Sequence, residues 1–182
     1  LPDLAADARQ PLSLPPLPTG ALTLEKVGAA IAHLMPDDTI VVNEAITSGA
    51  PVAGQMQTAR GHDWLVTMGG AIGAGLPTAV GAAVACPDRK VLCLSGDGSA
   101  MYTLQSLWTM AREGLDVCTV IFANDTYRIL HGELENVGAQ KPGRNVARMF
   151  DMVDPTLDWV ALAKGHGVQA QRVETAEAFN AA

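Results

Sequence analysis

The stretch Val91-Leu92-Cys93-Leu94-Ser95-Gly96-Asp97-Gly98-Ser99 and its continuation Val117-Cys118-Thr119-Val120-Ile121-Phe122-Ala123-Asn124-Asp125-Thr126-Tyr127 decide how this chain is read. Each half is a run of apolar and β-branched residues that ends in small polar ones. Such a run is a strand buried on both faces with a turn at its C-terminal end. Tyr102 to Arg112 lies between them with helical spacing and is stopped by Gly114. A strand, a crossover helix and a second parallel strand bring both strand ends to the same edge of a sheet. Neighbouring strands lie about 4.8 Å apart, so Asp97 and Asn124 can reach one ion between them, at the edge where open parallel sheets bind ligands.

Working outward, Thr23 to Leu34 places Leu24, Val27, Ile31 and Leu34 on one helical face behind Thr23 as N-cap, and Thr39 to Val42 reads as a strand leading into a polar turn at Asn43 to Gly49. Met68 to Ala85 is rich in Gly and Ala, which lets a helix lie close to a sheet. Further on, Leu157 to Lys164 reads as helix, Val168 to Val173 as strand, and Thr175 to Ala182 as the opening of another helix. The expected class is therefore α/β, three layers in αβα order around a mostly parallel central sheet. Residues 1–20 carry Pro2, Pro11, Pro15, Pro16 and Pro18 without apolar period and read as an interdomain linker; residues 21–182 read as one domain, C-terminally incomplete, and the chain as a piece of something longer.

Composition narrows the functional classes. At 48% hydrophobic, 4% aromatic and 17% charged, the chain has the makings of a compact core. Its net charge of −7 repels phosphate backbones, which argues against nucleic acid as a partner and requires an anionic ligand to be met by backbone N–H groups or a cation. No segment has the roughly 18 to 20 uninterrupted apolar residues of a membrane span. Cys86, Cys93 and Cys118 have no paired or metal-type spacing and read as reduced core residues of a cytoplasmic protein.

The residue types at the two strand ends select the ion. A carboxylate and an amide oxygen with no Cys or His in the motif are hard ligands suited to Mg²⁺ or Ca²⁺ rather than Zn²⁺. Two side chains leave an octahedral shell open for a backbone carbonyl, water and phosphate oxygens, the usual way Mg²⁺ is held against a diphosphate. Gly96 and Gly98 allow close backbone approach, and the N–H groups of Gly98 and Ser99 open the following helix and favour negative charge. Asp97 taken alone also fits a helix cap, and Asn124 a plain turn residue.

At these residues the chain resembles the thiamine diphosphate-dependent enzymes of the acetolactate synthase, benzoylformate decarboxylase and pyruvate decarboxylase group: Gly-Asp-Gly-Ser entered from a strand, with Asn 27 positions after the Asp. The resemblance implies the C-terminal, diphosphate-binding domain of a subunit that normally has three, with thiamine diphosphate and Mg²⁺ as cofactors. It implies Asp97, Asn124 and the main-chain carbonyl of Thr126 as metal ligands, and Tyr127 beside them. Gly69-Gly70-Ala71-Ile72-Gly73-Ala74-Gly75-Leu76-Pro77 is similar to the family's segment packed against the cofactor rings, which implies Gly70, Ala71 and Ile72 as ring contacts, with Ile72 the bulky wedge under a bent cofactor. Asn43 and Thr47 lie where family members place further diphosphate contacts, equally consistent with local turn bonding.

Asn124 to Leu130 and Leu157 to Ala163 look most like the acetolactate-synthase-like branch close to benzoylformate decarboxylase, although Arg128 stands where decarboxylases often have Gly. Ile129 and Leu130 are the candidate walls of a substrate pocket. The implied reaction is decarboxylation or carboligation of a 2-keto acid in a homo-oligomer, dimer or tetramer, whose active sites form with N-terminal domains of the same enzyme. The glutamate that serves the aminopyrimidine in this family belongs to such a domain, so no catalytic residue is expected within this stretch, and this piece alone should not turn over. The alternatives are a benzoylformate-type decarboxylase and, in another class, a non-catalytic assembly module.

Overall fold

The structure is a computed structural model that describes residues 12–139 and 143–182. Four parallel strands form one sheet: β1 (Thr39–Glu44), β2 (His62–Val66), β3 (Val91–Gly96) and β4 (Val117–Phe122), in the order β2-β1-β3-β4. The helices are α1 (Leu24–Leu34), α2 (Gly49–Met56), α3 (Gly75–Ala85), the single turn α4 (Asp97–Ala100), α5 (Ser106–Glu113), α6 (Arg128–Asn136), α7 (Arg144–Phe150), α8 (Trp159–Gly165) and α9 (Ala176–Ala181), with 3₁₀ turns at Ile46–Ser48 and Met68–Gly70.

The strands divide their side chains by parity, as a pleated strand must. Ile40, Val42, Val91 and Cys93 face α3, α5 and α8 through Leu76, Ala79, Ala83, Leu107, Met110 and Ala163. Val41, Leu92 and Leu94 face the other way, against Val27 and Ile31 of α1 and Val52 and Met56 of α2, with Phe179 of α9 at the margin. Both faces are therefore covered, and the three-layer αβα class is the observed one. The α1–α2 contact is close: a Cβ on Gly28 would lie 2.9 Å from Val52 Cα. The Thr23 hydroxyl accepts from Lys26 N at 3.3 Å and caps α1 as read from the sequence, a bond worth about 1 kcal/mol.

Several boundaries differ from expectation. Strand β1 runs two residues further than Val42, because Asn43 and Glu44 continue the ladder opposite Leu94 and Ser95. The expected polar turn shrinks to a 3₁₀ turn followed by α2. Residues 101–105 are turns rather than the start of a long helix; beyond Met101 backbone bonds of the i→i+3 kind take over, Tyr102 N to Ser99 O at 3.2 Å and Ser106 N to Thr103 O at 2.9 Å among them. Residues 168–173 are not a strand. The segment has no ladder neighbour, since among the described residues the sheet ends at β4; an isolated bridge to Ala21 forms only beyond it, at Thr175, while Val168 and Ala170 pack on the core. Cys93 is buried, but Cys118 is exposed on edge strand β4, which corrects its assignment to the core.

Of the segment read as a linker, residues 1–11 lie outside the described residues. Residues 12–19 carry no regular element and lie against the domain, with Ser13 N donating to Thr58 O at 3.0 Å and the His33 ring nitrogen Nδ1 bonded to Pro15 O at 2.8 Å. Among the described residues no helix is long and apolar enough to cross a membrane.

Burial pushes the Cys93 thiol up to about 12, and the nearby Glu44 carboxylate adds to the effect. At pH 8 such a thiol is ionised to roughly one part in ten thousand. Cys93 is thus expected to resist iodoacetamide at pH 8 until the protein unfolds, with the labelled peptide read by mass spectrometry; modification under native conditions at the rate of an exposed thiol contradicts this packing.

Candidate functional site

Two features place a site at the C-terminal edge of the sheet. The register sets Glu44 beside Ser95 and Gly96 beside Phe122, so β1, β3 and β4 end level with one another. The chain also leaves β1 toward β2 on one side and returns to β3 on the other, and the crevice at such a switch point is where open α/β sheets take ligands. A cleft opens there between the segments that follow β1, β3 and β4. Its lining contains Thr47, Ile72, Gly96, Asp97, Gly98, Ser99, Asn124, Thr126, Tyr127 and Ile129, all expected at the site, together with Ala45, Ile46, Ser48 and Arg128. Asn43, Gly70, Ala71 and Leu130 lie outside this lining. The Asn43 Oδ1 accepts from Ala45 N at 3.1 Å, and the side chain packs on Gly49, where an added Cβ would be 2.8 Å away. Leu130 is exposed on α6.

Asp97 is 2% exposed, and burial raises its pKa above the ordinary carboxylate value, opposed by N–H donors of Asp125, Gly98 and Asn124. Oδ2 accepts from Asp125 N at 2.7 Å and Oδ1 from Gly98 N at 2.9 Å. The carboxylate thereby ties the end of β3 to the loop after β4, and it occupies the Gly98 amide that the sequence had assigned to a phosphate. Among the described residues Asp97 forms no ion pair, so a divalent cation would supply the charge that its burial lacks. Asn124 Oδ1 accepts from Thr126 N at 3.1 Å and lines the same cleft. The Thr126 carbonyl accepts from Arg128 N at 2.9 Å, which leaves a second lone pair for another partner. Carboxylate, amide oxygen and carbonyl form a hard donor set that fits Mg²⁺.

The loop that carries these groups is secured from behind. The Thr126 hydroxyl lies 3.1 Å from His131 Nε2, 3.1 Å from Phe150 O and 3.2 Å from Asp151 Oδ1, and Tyr127 N donates to Phe150 O at 2.8 Å. His131 is thus engaged with this loop. Gly98 cannot carry a side chain, since a Cβ would lie 2.6 Å from the Tyr127 ring. Opposite, Ile72 is 43% exposed on a turn whose Gly69, Gly70 and Gly73 have φ of 63°, 69° and 86°, values that favour glycine.

Sequence reasoning passed over two polar groups. Glu44, 1% exposed, accepts from Gly73 N at 2.7 Å, Ala74 N at 3.0 Å and Gly75 N at 2.7 Å, and the Thr103 hydroxyl donates to Gly73 O at 2.7 Å. An acidic residue closing an otherwise apolar strand was the available signal for Glu44; nothing local marked Thr103.

Residues 48–182 match the family profile described as "Thiamine pyrophosphate enzyme, C-terminal TPP binding domain". The chain belongs to this family of thiamine pyrophosphate enzymes and is its C-terminal cofactor-binding domain. It is 51% identical over 168 residues to "Putative acetolactate synthase large subunit IlvX" of Mycobacterium tuberculosis, covering 92% of this chain and 33% of that protein. It is 34% identical over 166 residues to benzoylformate decarboxylase of Pseudomonas aeruginosa, covering 90% of this chain and 30% of that one. Among solved structures, the thiamine diphosphate-dependent 4-hydroxybenzoylformate decarboxylase of Rhodococcus jostii RHA1 superposes with a TM-score of 0.79 at 33% identity, over 96% of this chain and 31% of that one. The chain spans about a third of the length of these relatives.

Proposed function

We propose that the cleft holds the diphosphate of thiamine diphosphate through Mg²⁺, with Asp97, Asn124 and the Thr126 carbonyl as the protein's metal ligands, and that the protein of which this domain is part acts on 2-keto acids. The observation that carries the reading is the meeting of Asp97, Asn124, Thr126 and Ile72 in one cleft at the switch point of the sheet, in a chain of this family. When bound, the cofactor supplies the nucleophilic carbon and the electron sink for cleavage or formation of a bond next to a keto group. The chain's own residues bind and orient. Asp97 and Asn124 offer oxygen to the metal, Gly96, Gly98 and Ser99 leave room for phosphate, Thr47 and Tyr127 border the diphosphate, and Ile72 offers an apolar surface to the rings. Gly70 and Ala71 are further contacts toward the rings and Asn43 a further contact toward the diphosphate, all three outside the lining, and Ile129 and Leu130 stand on the substrate side.

Both kinds of relative, acetolactate synthase-like and benzoylformate decarboxylase, align over most of this chain. Acetolactate-synthase-like carboligation is the leading activity and benzoylformate-type decarboxylation the second; turnover of pyruvate against benzoylformate decides their order. We place the linker at residues 1–20 and the cofactor domain at 21–182, in a cytoplasmic homo-oligomer that joins this cleft to N-terminal domains of the same enzyme.

The test is calorimetric titration of the intact protein with thiamine diphosphate, in the presence of Mg²⁺ and of a chelator. Saturable binding with Mg²⁺ and its loss with the chelator are expected. Absence of binding in both conditions refutes the reading and leaves an assembly role in its place.

A further inference from the structure

We infer that Glu44 is a positioning residue that sets the height of Ile72 over the cleft and thereby the fit of the cofactor rings; the inference rests on the reading of the cleft given above. Glu44 is the last residue of β1 and among the largest side chains wholly withdrawn from solvent. An isolated carboxylate inside a protein is costly unless its oxygens are met by donors. Here three consecutive amides, Gly73, Ala74 and Gly75, meet it at 2.7, 3.0 and 2.7 Å, in the turn immediately after Ile72. Both carboxylate oxygens are used, Oε1 for Gly73 and Ala74 and Oε2 for Gly75, so the turn is held in orientation as well as distance.

The same turn is gripped from its other side. The Thr103 hydroxyl donates to Gly73 O at 2.7 Å, and a Cβ on Gly73 would lie 2.5 Å from Tyr102 Cβ. Tyr102 and Thr103 follow α4, the turn that begins at Asp97. The opposite half of the loop is unconstrained in this sense: at Gly69 and Gly70 an added Cβ would meet nothing within 4 Å. Ile72 sits at the join between the free half and the fixed half, one residue from the Glu44 and Thr103 bonds. The apolar shelf and the metal ligand Asp97 are therefore referred to one frame, β1 and β3 paired through Glu44 and Ser95. A purely structural carboxylate would stabilise the fold and leave the two ends of the ligand equally well bound. A positioning carboxylate separates them.

That separation is the test, on the intact protein with Mg²⁺ present: affinity for inorganic diphosphate, which reads the metal end alone, against affinity for thiamine diphosphate, which reads both ends. In Glu44→Gln the amide nitrogen faces an N–H donor, and the turn has to shift. Diphosphate affinity is expected to stay within about twofold of wild type while thiamine diphosphate affinity falls about tenfold or more, as sub-ångström misplacement of a binding surface produces. Near-UV circular dichroism of the bound cofactor should change in the same variant. Glu44→Asp keeps the charge but withdraws it by one methylene, and the same selective loss is expected. Thr103→Val, which removes the second grip, should lose affinity for thiamine diphosphate selectively and by less; if Glu44→Gln does not fold, this variant decides alone. The inference is overturned if the ratio of the two affinities is unchanged in the folded variants, whether both ligands bind normally or both weaken together. Failure of wild type to bind either ligand is a different result, and refutes the reading of the cleft itself.

Discussion

Asp97→Ala is expected to weaken Mg²⁺-dependent binding of thiamine diphosphate by about 100-fold or more, the equivalent of about 3 kcal/mol lost at the metal. Asp97 is the sole charged member of the proposed donor set, and Asn124 and the Thr126 carbonyl are neutral. The truncation also leaves the amides of Gly98 and Asp125 without their acceptor, at a cost of about 1–3 kcal/mol for each buried donor that water does not reach. Against that stands relief of a buried carboxylate whose pKa is held above its ordinary value by desolvation. The two stability effects oppose one another, so the unliganded melting temperature should move much less than the affinity does. Calorimetry and thermal unfolding on the same sample separate them, and wild-type affinity in the variant removes Asp97 from the metal.

Gly75→Ala is expected to destabilise the fold by about 3 kcal/mol, at the upper end of what overpacking costs. The new Cβ would lie 2.6 Å from Glu44 Oε2 and 2.8 Å from Glu44 Cβ. Neither atom can step aside cheaply: Oε2 is bonded to the Gly75 amide itself, and Glu44 Cβ belongs to a strand paired on both sides. A fall in the denaturant midpoint with unchanged slope is the expected reading. A midpoint within error of wild type means that the Glu44 contact yields more easily than the structure indicates. Gly81, also in α3 but with open space at its Cβ, is the natural control.

The sheet was legible because Thr39–Val42, β3 and β4 are runs of apolar and β-branched residues; β1 and β3 are buried between the two helical layers, and β4, partly buried at the edge, is legible from its own run. Asp97 and Asn124 were legible for a related reason: the polar residue directly after each run has to emerge at the strand's end, and parallel neighbours emerge together. Strand β2, His62-Asp63-Trp64-Leu65-Val66, escaped notice because an edge strand is only half buried and its sequence does not alternate cleanly. Helices α6 and α7 were missed although each carries apolar residues at helical spacing, Leu130 and Leu134 in the first and Val146, Met149 and Phe150 in the second; both are short, and no residue of either is buried within this chain. The opposite error, the strand read at Val168 to Val173, shows that β-rich composition without a hydrogen-bonding neighbour yields only extended chain. Glu44 lies 29 to 31 residues from the amides it binds. Such a partnership is created by the topology and is absent from any local pattern.

The level ending of β1, β3 and β4 bears on how this domain can change without losing its ligands. What brings Asp97 beside Asn124 is the ladder from Val91 opposite Val117 to Gly96 opposite Phe122, and the length of chain that joins the two strands does not enter. Extra residues in the connection near Gly114 would loop outward at the far end of the sheet and be absorbed there at small entropic cost. A single residue inserted within β4 would instead slide Asn124 by about 3.3 Å and exchange the inward and outward faces of everything beyond it. Variation in length is thus confined by geometry to one side of the molecule, and the other side admits substitution only.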